Sequence, residues 1–215
     1  MLHQLMTTPG GVPVHGFAVP AAQARSWWRR LRPRHATTGL WPLLMDPDTP
    51  AELAAMAGDP GPEPWEEPPG RPAALGRPPT ELDLDELEAG EWPEVYDRPR
   101  EPDEGTAVVA LLPVAAPWRI PLLLGYGDWN GYPAPPAHAA MLHHFHTRYG
   151  AEPVILTRDS LEFTVARPPL DRRAAVALAW DYEMYTDALD LHGLDSLPEL
   201  AAVLLGATVW RAWWD

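Results

Sequence analysis

Residues 122–167 read LLLGYGDWNGYPAPPAHAAMLHHFHTRYGAEPVILTRDSLEFTVAR, and this stretch decides the fold. It joins an apolar run to a glycine-rich turn, a helix and two strands. Pro135 opens the predicted helix, and Gly150 occupies the position just after its end, where glycine is favoured. The last strand alternates apolar residues on one face: Leu161, Phe163 and Val165. This alternation after a short polar turn predicts a β-hairpin.

The rest of the chain continues the alternation of strands and helices. Further strands are predicted at 12–19, 40–45, 106–115, 120–127 and 207–215, with 106–115 and 120–127 as an antiparallel pair. Further helices are predicted from Ala21, Thr49, Asp171 and Ser196. We therefore predict the α/β class in its mixed α+β form, with a single mixed sheet flanked by helices. Residues 1–57 would supply a strand–helix–strand part of this domain and 106–215 its α/β core.

Residues 58–105 differ in character from the sequence on either side. They hold 15 acidic residues against four arginines, together with 11 prolines. Because so few apolar residues are available for burial, we predict a long, disordered, acidic and Pro-rich insert. One interpretation is a solubilising insert. The alternative is a partner-binding motif that folds on binding, anchored by Leu84, Leu87 and Trp92.

Composition excludes several classes of protein. The formal net charge is -14, and most of the negative charge lies in the insert, so we expect no nucleic-acid partner. No run approaches the roughly 20 apolar residues that span a bilayer, and we expect no membrane partner. The chain has no cysteine, which is typical of a reducing compartment, and we predict a cytoplasmic protein.

The glycine-rich loop 125–133 is the first candidate site, because loops that follow a strand carry ligands in open α/β sheets. Asp128 could act as a general base or metal ligand. The alternative is a structural turn in which a tryptophan packs onto the sheet. The predicted ligand-binding residues, some from this loop and some from the helix after Asp171, are Trp129, Asn130, Tyr132, Tyr182 and Glu183.

The histidines of the helix after Pro135 are the second candidate site. Asp128 and His138 are the candidate catalytic residues. His143 and His146, three residues apart, could bind one metal ion if Asp128 or Glu183 supplied a third ligand. The alternative is an exposed polar face, with His143 and His144 pointing progressively outward.

The carboxyl-terminal half resembles a known bacterial family. The run LLLGYGDWNGYPAPPAH, the segment HFHTRYGAEPVILTRDSLEFTVARPP, the helix WDYEMY and the end VWRAWWD are similar to the domain of unknown function DUF4253 over roughly residues 105–215. The resemblance implies a compact α/β domain in the bacterial, notably actinobacterial, cytoplasm. It brings no established activity and therefore implies no catalytic residues.

These observations leave two functions open. The first is a non-enzymatic binding or interaction domain that needs no cofactor and binds a protein or a small molecule. The alternative is a hydrolase or metal-dependent enzyme that uses Asp128 with His138, His143 and His146, with a divalent metal as its cofactor.

Overall fold

The computed structural model describes residues 1–56, 71–77, 105–186 and 188–214. The strands are β1 (His3–Thr7), β2 (Pro13–Pro20), β3 (Leu40–Met45), β4 (Thr106–Pro113), β5 (Ala151–Leu156), β6 (Ser160–Val165) and β7 (Val209–Trp213). Within the described residues they form one seven-stranded sheet in the order β1-β2-β4-β3-β5-β6-β7. Only β3 and β5 pair in parallel among these strands, so the sheet is mixed.

Helices connect and cover the strands. They are α1 (Ala21–Leu31), α2 (His35–Thr38), α3 (Thr49–Met56), α4 (Ile120–Leu124), α5 (Pro135–Tyr149), α6 (Arg172–Glu183), α7 (Ala188–His192) and α8 (Leu197–Leu204). Local sequence sets several of their ends. The Asp171 side chain accepts a hydrogen bond from the Ala174 amide at the start of α6, and Gly150 ends α5 with a left-handed φ of 64°. The predicted single mixed sheet flanked by helices is confirmed.

The sheet separates two hydrophobic clusters. Alternate residues of β4 point to opposite faces, so Val108 and Ala110 join the main cluster while Ala107 and Val109 join the second. The second cluster is covered by α1 through Ala24 and Trp28. The main cluster takes side chains from α4, α5, α6 and α8, which therefore share one face of the sheet.

The parallel seam between β3 and β5 joins the two halves of the sheet. Leu44 lies opposite Ile155 in the register of this pair. Towards the other end of the seam, the Trp41 indole Nε1 donates to the Pro153 carbonyl oxygen over 3.2 Å. Arg32, after α1, pairs with Glu152 of β5, and its guanidinium lies 4.1 Å from the Trp41 ring centroid.

The prediction of a strand over 120–127 is wrong. Pro117 opens a 3-10 turn, Pro117–Arg119, and Pro121 lies in the first turn of α4. Proline is well suited to these positions, because the first amides of a helix have no intrahelical partner. Gly125 ends α4 with a left-handed φ of 64°. A short apolar run has no periodicity that separates a buried helix from a buried strand.

The structure also contains elements that the sequence pattern did not predict. β1 pairs with β2 in an antiparallel hairpin, and α7 lies between the helices predicted from Asp171 and Ser196. No helix among the described residues has both the length and the apolar character needed to cross a membrane.

Of the predicted insert, residues 71–77 and Gly105 are described. Residues 71–77 contain a 3-10 turn, Ala73–Leu75, and the Leu75 side chain is buried in the main cluster. The sequence pattern predicted neither this turn nor the burial of Leu75. The predicted partner motif of Leu84, Leu87 and Trp92 lies outside the described residues.

The position of β3 leads to a testable prediction about fragments. β3 lies between β4 and β5, and β4 also pairs with β2, so a fragment of residues 105–215 leaves both edges of β4 and one edge of β5 unpaired. We expect this fragment alone to show no cooperative thermal unfolding by circular dichroism. Co-expression with residues 1–104 should restore a soluble complex with one cooperative transition. A cooperative transition in the isolated fragment would contradict this account of the sheet.

Candidate functional site

The loop 125–133 connects α4 to α5, so the expectation that it follows a strand is wrong. Its backbone folds back on itself. The Asp128 amide donates to the Pro133 carbonyl over 3.1 Å, and the Tyr132 amide donates to the Trp129 carbonyl over 2.8 Å. Asp128 and Asn130 have φ values of 66° and 47°. Aspartate and asparagine enter this left-handed region more readily than other non-glycine residues, so the sequence suits the loop conformation.

Gly127 allows the loop to lie against α5. Its φ is +112°, and a Cβ atom there would lie 2.1 Å from the Pro133 carbonyl oxygen and 2.7 Å from Cδ2 of His138. Both distances are shorter than a carbon atom permits. The loop can therefore pack this closely only with glycine at the position.

Three rings of the loop and three from other segments form a group of six that we call the aromatic cluster. Its members are Tyr126, Trp129, Tyr132, His138, Tyr185 and Trp214. Hydrogen bonds fix their positions: the Tyr132 hydroxyl donates to the Trp214 carbonyl over 2.8 Å, and the Trp214 indole donates to the Tyr185 carbonyl over 2.9 Å. The cluster thus connects the loop, α5, the segment just after α6 and the end of the chain.

His138, a predicted catalytic residue, lies inside this cluster. Its Nδ1 atom is hydrogen-bonded to the Tyr185 hydroxyl at 2.8 Å, and its Nε2 atom is buried with no hydrogen-bond partner. Burial lowers the pKa of His138 from 6.5 to about 3, so the ring is neutral at physiological pH. Asp128 is exposed on the loop, and no hydrogen bond joins these two described residues. Their catalytic role stays a prediction.

A cleft of about 220 Å³ opens beside the aromatic cluster. It is lined by residues 130–133, by residues 183–186 and by Trp214. Three of the five predicted ligand-binding residues meet in this cleft: Asn130, Tyr132 and Glu183. The other two do not. Trp129 packs between Tyr126 and Tyr132, and Tyr182 is fully buried in the main cluster.

Glu183 and Thr186 shape the cleft wall. One carboxylate oxygen of Glu183 accepts a hydrogen bond from the Leu189 amide over 3.1 Å, which holds the side chain near the start of α7. The Thr186 hydroxyl accepts from the Trp213 amide over 2.7 Å and donates to the Trp213 carbonyl. These two hydrogen bonds hold the hydroxyl at the end of β7.

The two predicted metal ligands lie elsewhere. His143 and His146 both pack against Trp118, with ring centroids 5.0 and 4.9 Å from it. His146 Nδ1 is also 3.1 Å from the Ala151 carbonyl oxygen. No group of three histidine, aspartate or glutamate side chains in the described part of the chain is arranged to hold a metal ion. Metal binding by His143 and His146 stays a prediction.

The expectation that His144 points outward is wrong. His144 is buried between α5 and α6, where its Nε2 atom is 2.9 Å from a carboxylate oxygen of Asp181. Arg71, from the insert, donates to the other carboxylate oxygen. Burial by itself raises the pKa of Asp181. The hydrogen bonds from His144 and Arg71 together lower it by more, so the net shift of the pKa is downward. The sequence pattern did not predict this group, although an acid at position 181 between the apolar positions Leu178 and Tyr182 is a signal of a buried charge.

The fold and this site define a mixed α/β protein with a small polar cleft where the loop 125–133, residues 183–186 and Trp214 meet. The chain belongs to the family Domain of unknown function (DUF4253), whose model matches residues 108–215. The resemblance found from the sequence motifs is thereby confirmed. No curated protein and no solved structure matches the chain.

The close approach of Gly127 predicts a large effect of adding one methyl group. Gly127→Ala should lower the free energy of unfolding by about 3 kcal/mol, because the loop must move away from α5. Gly131→Ala is the matched control: its φ is +83°, but a Cβ atom there meets nothing within 4 Å, so only the backbone cost of about 1 kcal/mol is expected. Urea unfolding measures both. Equal losses would contradict the contact between loop and helix.

The buried His138 predicts that stability falls in mild acid. Its folded pKa of about 3 lies below its unfolded pKa of 6.5, so the unfolded state takes up a proton first as the pH falls. The stability associated with the neutral ring is fully present above pH 6.5 and is lost as the pH falls towards 3. The free energy of unfolding should fall by about 2 kcal/mol between pH 7 and pH 5. His138→Gln should remove most of this dependence, whereas His15→Gln, at an exposed position, is the control.

His192 acts in the same direction, because burial and then Arg211 lower its pKa. A residual slope in His138→Gln is therefore expected. An unchanged slope would show that His138 is not enclosed as described.

Proposed function

We propose that this chain is a non-enzymatic binding domain and that the cleft beside the aromatic cluster is its ligand site. One observation carries the proposal. Asn130, Tyr132 and Glu183 come from two distant segments, and the sequence predicts all three as ligand-binding residues; they line the same cleft. The loop that forms one wall is held by its own hydrogen bonds, which supports a preorganised site with a low ordering cost on binding.

The lining of the cleft supports a ligand that carries a positive charge. Glu183 supplies a carboxylate, and the rings of Tyr132 and Trp214 supply the π-electron surfaces that attract cations. Among the described lining residues, none is basic. The Thr186 hydroxyl already donates to and accepts from the Trp213 backbone. We therefore assign recognition of the charge to Glu183, the acidic residue of the lining.

Binding is favoured over catalysis by the environment of His138. A general base must come within hydrogen-bond reach of the proton that it removes. His138 is fully buried behind Tyr185 and Trp214, and this burial disfavours the charged ring, which lowers the pKa of His138. This supports a structural role for the histidine within the aromatic cluster.

We place the charged group on a lysine side chain of a protein partner in the bacterial cytoplasm. Met184 lies at the rim of the cleft with 49% of its surface exposed, and its flexible thioether suits contact with a partner surface. The absence of cysteine from the sequence supports the reducing compartment.

The test uses a matched pair of small ligands. Nα-acetyl-lysine amide, which keeps its side-chain ammonium group, should shift the Trp214 indole and Asn130 side-chain resonances in ¹⁵N spectra. A Kd of roughly 1–10 mM is expected for so small a ligand. N-acetyl-norleucine amide, which lacks the ammonium group, should shift neither. Glu183→Gln keeps an acceptor for the Leu189 amide but loses the charge, and it should weaken binding of the lysine ligand about tenfold.

Asp190→Asn is the control variant, since it makes the same charge change at an exposed position outside the cleft. It should leave the affinity unchanged. Equal responses to the two ligands, or equal losses in the two variants, would reject Glu183 as the recognition group.

A further inference from the structure

Residues 71–77 form a turn whose shape is set by its own arginine. The Arg71 guanidinium donates to the carbonyl oxygens of Leu75 and Gly76. The Leu75 amide donates to the Pro72 carbonyl over 3.2 Å, which closes the 3-10 turn. The segment is therefore a compact peptide unit with one cationic and one apolar group directed towards the rest of the fold. We call it the arginine turn.

The arginine turn docks on a site built by α5 and α6. Arg71 Nε donates to a carboxylate oxygen of Asp181 over 2.8 Å, and the Trp180 indole donates to the Leu75 carbonyl over 2.7 Å. His144 holds the other Asp181 oxygen from α5. Each polar group of this contact thus has a partner, and the side chain of Leu75 enters the main cluster beside them.

The chemistry of this site suits a guanidinium. The Asp181 side chain is only 5% exposed, so its charge must be balanced by groups in direct contact. Arg71 contacts Asp181 through two of its nitrogens while it also reaches two backbone carbonyls. A lysine ammonium is a compact charge without a planar fork and cannot reproduce this spread of donors.

We propose that the groove between α5 and α6 at Asp181 is a recognition site for an arginine-led peptide turn, and that residues 71–77 are its resident ligand, exchangeable for the same sequence in trans. The ligand class is defined by an arginine followed four residues later by a leucine and then a glycine. The cleft beside the aromatic cluster plays no part in this inference.

Competition with the tethered turn determines the design of the test. A ligand joined to its receptor by the chain has an effective concentration on the order of millimolar, so a free peptide cannot displace it easily. The double variant Arg71→Ala/Leu75→Ala disables the resident turn and leaves Asp181, His144 and Trp180 in place. A fluorescein-labelled peptide with the sequence of residues 71–77, RPAALGR, is the probe, and its anisotropy is measured against protein concentration.

We expect the peptide to bind the double variant at least about tenfold more tightly than the wild-type chain, in which the site is occupied. Adding Asp181→Asn to the double variant should abolish this gain. Two control peptides have equal charge: alanine in place of Arg77 should leave binding intact, because Arg77 is exposed and forms no hydrogen bond with the described residues, whereas alanine in place of Arg71 should remove it.

Three outcomes would overturn the proposal. The first is a folded double variant, judged by its thermal transition, that does not bind the peptide at millimolar concentration. The second is equal binding of the two control peptides, which would indicate nonspecific attraction of cations to an acidic chain. The third is a double variant that fails to fold, because a turn required for folding is part of the core and not an exchangeable ligand.

Discussion

The seam between β3 and β5 is the contact on which the sheet depends, because it joins four strands on one side to three on the other. Pro42 and Pro153 have no amide hydrogen, so neither can contribute a backbone donor to the sheet. Side chains supplement the backbone pairing here: the Trp41 indole donates to the Pro153 carbonyl, and Arg32 pairs with Glu152 while lying over the Trp41 ring. Tryptophan can contribute both a large buried surface and a directed donor, which explains its place at this point.

The aromatic cluster holds together the segments that surround the cleft. Its rings come from the loop, from α5, from the segment just after α6 and from the end of the chain, and three of these four segments line the cleft. Buried polar atoms within it, such as the Tyr126 hydroxyl and His138 Nε2, have no hydrogen-bond partner. Unsatisfied groups of this kind cost free energy, and the dense ring packing offsets that cost.

The sequence predicted those parts of the fold that short-range rules control. The β5–β6 hairpin, the cap at Asp171 and the left-handed glycine at 150 each depend on neighbours within a few residues. The rules failed at residues 120–127, where an apolar run is compatible with either a strand or a helix, and at His144, whose polarity suggested an exposed face. Asp181 lies on another helix and makes burial of His144 favourable, and no pattern around His144 reveals that partner.

The candidate site divides in the same way. The sequence alone determined the glycine, aspartate and asparagine positions of the loop 125–133, the composition of the insert and the family to which residues 108–215 belong. Each of these depends only on residues that are adjacent in the chain. Tertiary structure alone decided that Asn130 and Glu183 share a cleft, that β3 separates β4 from β5, and that Arg71 reaches Asp181. These contacts join residues far apart in the chain, and their stability comes from burial and paired charge, which exist only after the chain has folded.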